Sequence, residues 1–462
     1  MGEETPRGGW ERSFRAGCYD QKGRLAAGSE VLHLVSHGHA LFAANGYWMD
    51  RRHPWYGATG SVAPWGQVLR LERKSDGWQV DTQFEGHLRV EALASVRFTT
   101  DHTGRRLQQP ISLLLAAAYE RDGRPGLSVF QRDDRSGQWS AKKILQGPVE
   151  ARGVMNSPRV LRVYHDKKTG IDRVFLSAGV HGVWSGVFLN DEAQTIRWDP
   201  SPEWGPLPIR ALSMTEIDRA LHVSVGSKIY RRIDGDSPGY EIVVDLASHF
   251  PAKATAVVGG IRGMRTVVSP DGRGESLLML WAAGANSAGC MVRIDVKPMQ
   301  QARYGPVILE VCLDQRIESY LRGVPVRFVL GAYNEIFELS RGTEHDAIQL
   351  FGVEAIIDDE AELVANSQRM GGQGFYAGAM IIIREGPERY RITEVNCYRL
   401  PADAPLIALR SIAQSPLAGD GQQALFFGGY DANFYRGKDT AWVFSAPASA
   451  FTTKLPPAKD GC

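Results

Sequence analysis

The apolar positions of this chain fall in short runs rather than in helical stripes. The clearest copy reads Ile209-Arg-Ala-Leu-Ser-Met-Thr, Ala220-Leu-His-Val-Ser-Val-Gly, Lys228-Ile-Tyr-Arg-Arg-Ile-Asp and Tyr240-Glu-Ile-Val-Val-Asp-Leu. These are four β-type runs separated by turn signals. A compact apolar run closed by Gly or Ala recurs at 40–46, 113–118, 174–179, 221–226, 277–284, 328–331 and 424–429. Such runs are too short for free-standing helices, and their glycine ends mark them as buried strands. A third run follows, often ending in Arg or Asp, as in Met291-Val-Arg-Ile-Asp. A fourth is amphipathic, as in Trp78-Gln-Val-Asp-Thr-Gln-Phe.

Each copy is led by a charged residue, then a small or apolar one, then an apolar one. The leaders are Glu30, Glu91, Arg152, Arg210, Arg262, Arg322 and Arg410, at intervals of 61, 61, 58, 52, 60 and 88 residues. Seven copies of four antiparallel strands, about 60 residues each, are the pattern of a β-propeller. One four-stranded sheet cannot bury both of its faces, so sheets stack around a ring until it closes. The chain therefore resembles a seven-bladed β-propeller over nearly its whole length. The expected fold is all-β, one domain over 1–462, with approximate blades at 30–88, 89–148, 149–205, 206–250, 254–313, 314–398 and 399–446. No WD series, Asp-box or kelch glycine pair accompanies the repeat, so the resemblance is to the architecture alone.

The last copy becomes Pro- and Ala-rich after Thr440–Ser445 and lacks a fourth strand. The stretch 13–19 is expected to supply it, which would close the ring and cover an exposed edge. The sixth copy is long. Its extra sequence, 341–373, holds Asp358-Asp-Glu-Ala-Glu and Gly371-Gly-Gln-Gly, and reads as a solvated loop or as a lid or partner surface.

Composition narrows the function classes. With 53 basic against 52 acidic residues there is no net field suited to nucleic acid. No run reaches the ~18 apolar residues of a membrane span. The start, Met1-Gly-Glu-Glu-Thr-Pro, has no basic segment followed by an apolar one, so it does not read as a signal peptide. A chain beginning after a removed signal would look the same, which leaves cytoplasm and export equally open. Five cysteines are widely spaced without a metal-like pattern and read as buried, inert thiols.

In a propeller, the loops leading into the inner strands and those after the second strands open on one face. That places the charged leaders together with residues after the second strands. Arg152, Arg210, Arg262, Arg322 and Arg410 then form a guanidinium ring suited to a carboxylate, phosphate or sulfate, or a set of clasps between blades. Trp48, Trp184 and Asn433 would add stacking and polar contacts to a saccharide or small molecule. His181, between glycines, and the tyrosines Tyr430 and Tyr333 are the candidate proton-transfer groups. Glu30 and Glu91, with Asn45, Asn286 and Asp431, form a possible Ca²⁺ set of hard oxygen ligands; the carboxylates also read as partners of flanking arginines.

Two classes of function follow. One is an enzyme acting on an anionic small molecule or acidic saccharide, for instance a β-elimination in which arginines neutralise a carboxylate. Some polysaccharide lyases are seven-bladed propellers, and the arrangement is similar to theirs. In the Ca²⁺ variant the resemblance is instead to propeller lactonases and phosphotriesterases, which implies hydrolysis. The other class is a non-catalytic propeller that binds a protein or glycan on its flat face.

Overall fold

The computed structural model describes residues 9–48, 50, 65–119, 126–146, 153–250, 259–284, 287–297, 303–342, 346–357, 375–376, 378–395, 406, 408–417, 424–430 and 439–452. Strands dominate them, arranged as a seven-bladed propeller. Blade one runs through Glu30–His37, Ala40–Gly46, Gln67–Leu71 and Gln79–Gln83. Blades two to five repeat the order in sequence, from Ala92–Thr100, Leu161–Asp166, Ala211–Ile217 and Gly260–Val268 as inner strands.

The seventh blade is completed from the far end of the chain. Its own strands are Ala408–Gln414, Ala424–Tyr430 and Trp442–Pro447, and Glu11–Arg15 pairs with the last. The closing strand expected at 13–19 is therefore real, though it begins two residues earlier. Cys18–Tyr19 turns away into a separate pairing with Leu25–Ala26. Trp10 and Phe14 anchor the closure, each at most 5% exposed, with the Trp10 ring 4.9 Å from that of Phe427.

The sixth blade departs from the expected register. The apolar run Phe328–Gly331 was expected as a second strand; it lies instead in the inner strand, Val326–Gly331. The second strand is Ala347–Ile357, drawn from what read as an insertion. The cause is helix Leu313–Tyr320, an element the strand pattern does not announce. It displaces the blade's start beyond Arg322, which is exposed and left-handed (φ +59°) just after the helix. The acidic run 358–362 and the glycines 371–374 lie outside the described residues.

Each sheet buries both faces against its neighbours. Leu278, Leu280 and Met291 of blade five share a core with Val329, Phe351 and Ile382 of blade six. Leu339 and Ile381 of blade six do so with Leu409, Phe427 and Trp442 of blade seven. Burial at roughly 25 cal/mol per Å² of apolar surface makes these seams the main cohesive term. No helix among the described residues is long and apolar enough to cross a membrane.

Candidate functional site

Inner strands start where second strands end: Glu30 pairs with Gly46, and Ala408 with Tyr430. Five of the seven charged leaders therefore converge on the axis. Glu30, Glu91, Arg210, Arg262 and Arg410 all lie there and are all nearly inaccessible. Three further members join them. Arg89 precedes Glu91 by two residues and shares its side of the chain. Arg159 leads blade three, with its amide bonded to the Ser177 carbonyl. Glu354 comes from the second strand of blade six.

The group is bound by charge. Arg89 contacts Glu30 and sits 3.2 Å from Glu91. Arg410 lies 3.6 Å from Glu30 and 3.2 Å from Glu354. Tyr430 donates its hydroxyl to Glu354 at 2.6 Å. Five guanidiniums thus face three carboxylates among the described residues. Burying charge is costly unless it is matched, and each of these three carboxylates has an arginine within salt-bridge distance.

Tyr333 stands at the centre. Arg159 Nη1 donates to its hydroxyl at 2.6 Å. The guanidiniums of Arg410, Arg159 and Arg262 lie 3.8, 4.7 and 5.1 Å from its ring centre. Burial pushes the phenol up, but Arg159, Arg410 and Arg89 outweigh it and draw it down to about 7. Burial and the neighbouring Arg159 push Arg262 down to about 10, and Arg210 downward as well. Burial dominates at Glu91, whose carboxyl is raised despite Arg89, Arg159 and Arg210.

A backbone irregularity puts Tyr333 there. The inner strand of blade six breaks between Val326–Gly331 and Phe337–Ser340, with Ala332 left-handed at φ +45°. The break swings Tyr333 and Asn334 into the axis. Asn334 Nδ2 reaches the Leu32 carbonyl of blade one at 2.5 Å, past blade seven. Gly263 of blade five makes room, since a Cβ there would stand 2.5 Å from that of Ala332.

Beside Arg159 and Asn334, along the inner strands of blades one, two, three and seven, lies a cavity of about 450 Å³. His33, Ser95, Arg159, Asn334, Glu335 and Gln414 are among its polar walls. His33 Nε2 bonds the Glu91 carbonyl at 2.9 Å, and burial pushes its ring down to about 4, so it is neutral at pH 7. Glu335 projects into this cavity. Desolvation there raises its carboxyl, against the pull of Arg265 and Arg162.

Other expected residues are placed elsewhere. Trp184 is buried in the core shared by blades two and three, with Phe98 and Phe188, and stacks on no channel space. His181 bonds Asn156 Oδ1 at 2.9 Å, and burial lowers its ring. Arg322 is on the outside, because the repeat alignment slid over the helix before it. Trp48 does come to the cluster, its ring 4.9 Å from the Arg89 guanidinium. Arg152, Asn433, Asn286 and Asp431 lie outside the described residues. The described members of the Ca²⁺ set do not form a cation cradle. Arg89 bridges Glu30 and Glu91, and the Asn45 side chain is committed to Ala27 and Gln67. No group of three His, Cys, Asp or Glu among the described residues would hold a metal ion.

Of the residues missed, Arg159 carried a signal: Arg159-Val-Leu repeats Glu30-Val-Leu, seven residues beyond the Arg152 that was aligned. Arg89 was legible as a same-side neighbour of Glu91. Glu354 carried none, being a lone acid in an apolar strand.

No family model matches this chain, and no curated protein matches it. Among solved structures it is similar to the periplasmic gluconolactonase of Pseudomonas aeruginosa, at 14% identity, covering 84% of this chain and 98% of that one, with a TM-score of 0.40. It is similar to a gluconolactonase of Xanthomonas campestris at 12% identity, covering 90% and 86%, with a TM-score of 0.36. It is also similar to AofleA of Arthrobotrys oligospora at 12% identity, covering 83% and 94%, with a TM-score of 0.36.

Proposed function

We propose that the axial channel binds a small anionic molecule and that the protein is a hydrolase of the lactone- or ester-opening kind. One observation carries this reading. The 450 Å³ cavity is lined by Arg159, and Arg159 holds the Tyr333 hydroxyl at 2.6 Å. The volume lies in the range of roughly 300–1,000 Å³ usual for small-molecule sites. Arg159 thus joins a ligand-sized space to the arginine-rich cluster that holds the acidic phenol.

The chemistry suits acyl transfer to water. A phenolate near neutrality takes a proton from a water molecule as that water attacks a carbonyl carbon. Arginine N–H groups stabilise the oxyanion that develops on the carbonyl oxygen. A second guanidinium holds the substrate's own carboxylate or phosphate. A β-elimination would draw on the same phenolate and arginines, and its unsaturated product separates it from hydrolysis.

The test is a panel of lactones and esters with and without a carboxylate or phosphate, assayed for acid release and, in parallel, for unsaturated product. Turnover of the anionic members, lost by at least an order of magnitude in Tyr333→Phe, is expected. Unsaturated product would restore the lyase reading. Anion-dependent thermal stabilisation without turnover would make the channel a binding site only.

A further inference from the structure

Strands Gly289–Lys297 and Arg303–Cys312 of blade five set Cys290 directly opposite Cys312. Both thiols are free, and their Sγ atoms are 3.5 Å apart. Opposed residues on antiparallel strands have Cα atoms about 4.5–5.5 Å apart, inside the range of about 4.4–6.8 Å that a disulfide spans. Rotation of the two side chains is enough to bring the sulfurs to the bonding distance of about 2.05 Å.

We propose that Cys290 and Cys312 form an oxidative modification site, a dithiol that exchanges with a low-molecular-weight disulfide to give a cross-strand bridge in blade five. The two thiols differ in access. Cys290 is buried; Cys312 is partly exposed, at the head of helix Leu313–Tyr320. Burial and the neighbouring Cys312 push the Cys290 thiol up to about 12, so the more accessible sulfur reacts first.

The exchange balances without a further reagent. The Cys312 thiolate attacks one sulfur of oxidised glutathione and releases one glutathione thiolate, leaving a mixed disulfide. Cys290 then attacks the Cys312 sulfur and releases the second glutathione. Two protein thiols become one disulfide, one oxidised glutathione becomes two reduced ones, and the two protons pass to the glutathione thiolates. The bridge ties the outer strand of blade five to its neighbour where Leu313 and Ile317 enter the core shared with blade six. It would therefore lock the outer edge of blade five, from which the helix starts.

The test uses the full chain and oxidised glutathione, followed by tryptic mapping under non-reducing conditions. Peptides 274–293 and 304–316 each carry one of the pair. The expected result is a linked 274–293/304–316 species, with Tm raised by a few degrees and restored by dithiothreitol. Cys290→Ser should stop at a stable glutathione adduct on Cys312. Exposed Cys18 is the control that the reagent acts. A wild-type protein glutathionylated at Cys18 but unlinked at 290 and 312, or carrying a persistent adduct on Cys312, overturns the proposal. The wild-type map decides it even where a variant fails to fold.

Discussion

The Tyr333 phenol offers the sharpest test of the channel. Free tyrosine titrates near ~10, whereas Tyr333 is drawn down to about 7. That displacement corresponds to roughly 4 kcal/mol of preference for the phenolate, at about 1.4 kcal/mol per pH unit. Tyr333 is 8% exposed, so water screens it little. The assay is ultraviolet difference absorbance of the phenolate between about pH 6 and 9, a window set by the ordinary tyrosine value. Burial pushes Tyr304 up to about 12, and Tyr164, Tyr240 and Tyr390 upward too, away from this window. One tyrosine equivalent should titrate near pH 7 and vanish in Tyr333→Phe. Arg159→Met, which removes the largest of the charges drawing the phenol down, should move the transition upward. The linkage has a definite sign. The native state gives up the phenolic proton before the unfolded chain does, so stability from this group grows from about pH 7 and is complete above about pH 10. It is lost as pH falls through 7. A flat absorbance up to about pH 9 would refute the reasoning, because the guanidiniums would then not act on the phenol.

The remaining predictions concern the scaffold. Gly46→Ala would put a Cβ 2.5 Å from Arg89 Cα, and should cost about 1–3 kcal/mol by urea unfolding while moving Arg89 away from Glu30. Glu310 accepts from Arg293, Arg384 and Tyr390 in one buried network. Glu310→Gln should cost about 3–5 kcal/mol in denaturant unfolding. Burial opposes its charge, but Arg384, Tyr390 and Arg293 hold its carboxyl below the ordinary value. Its contribution is therefore present at neutral pH and lost as acid protonates it, so the wild-type advantage over the Gln variant should shrink on acidification. Deleting residues 1–16 removes the strand that completes blade seven and the Trp10 and Phe14 anchors. A fall in Tm of many degrees with exposure of a strand edge, seen as concentration-dependent association, is expected. An unchanged Tm would show that closure adds little.

The legible part of the site was the part written in strand register. Glu30, Glu91, Arg210, Arg262 and Arg410 were found because a repeat maps equal sequence positions onto equal places around an axis. The errors arose where the repeat was interrupted. Helix Leu313–Tyr320 shifted blade six and took Arg322 with it, and Arg159, which precedes the inner strand of blade three, was passed over. Trp184 was assigned to a ligand because the glycines before it read as a loop, whereas it lies inside the buried strand Val183–Phe188.

What the sequence by itself determined is the ring. Alternating apolar runs and glycine ends dictate strands, seven copies dictate stacking, and a missing last strand dictates closure from the N-terminal end. These are local or periodic properties, and each repeat states them again. Tertiary structure alone decided the chemistry at the axis. That Arg89 lies between Glu30 and Glu91, that Ala332 turns left-handed, and that Tyr333 then meets arginines from blades two, three, five and seven are facts of convergence. Electrostatic effects on one phenol depend on distances between residues far apart in the chain, and those distances exist only once the ring has closed.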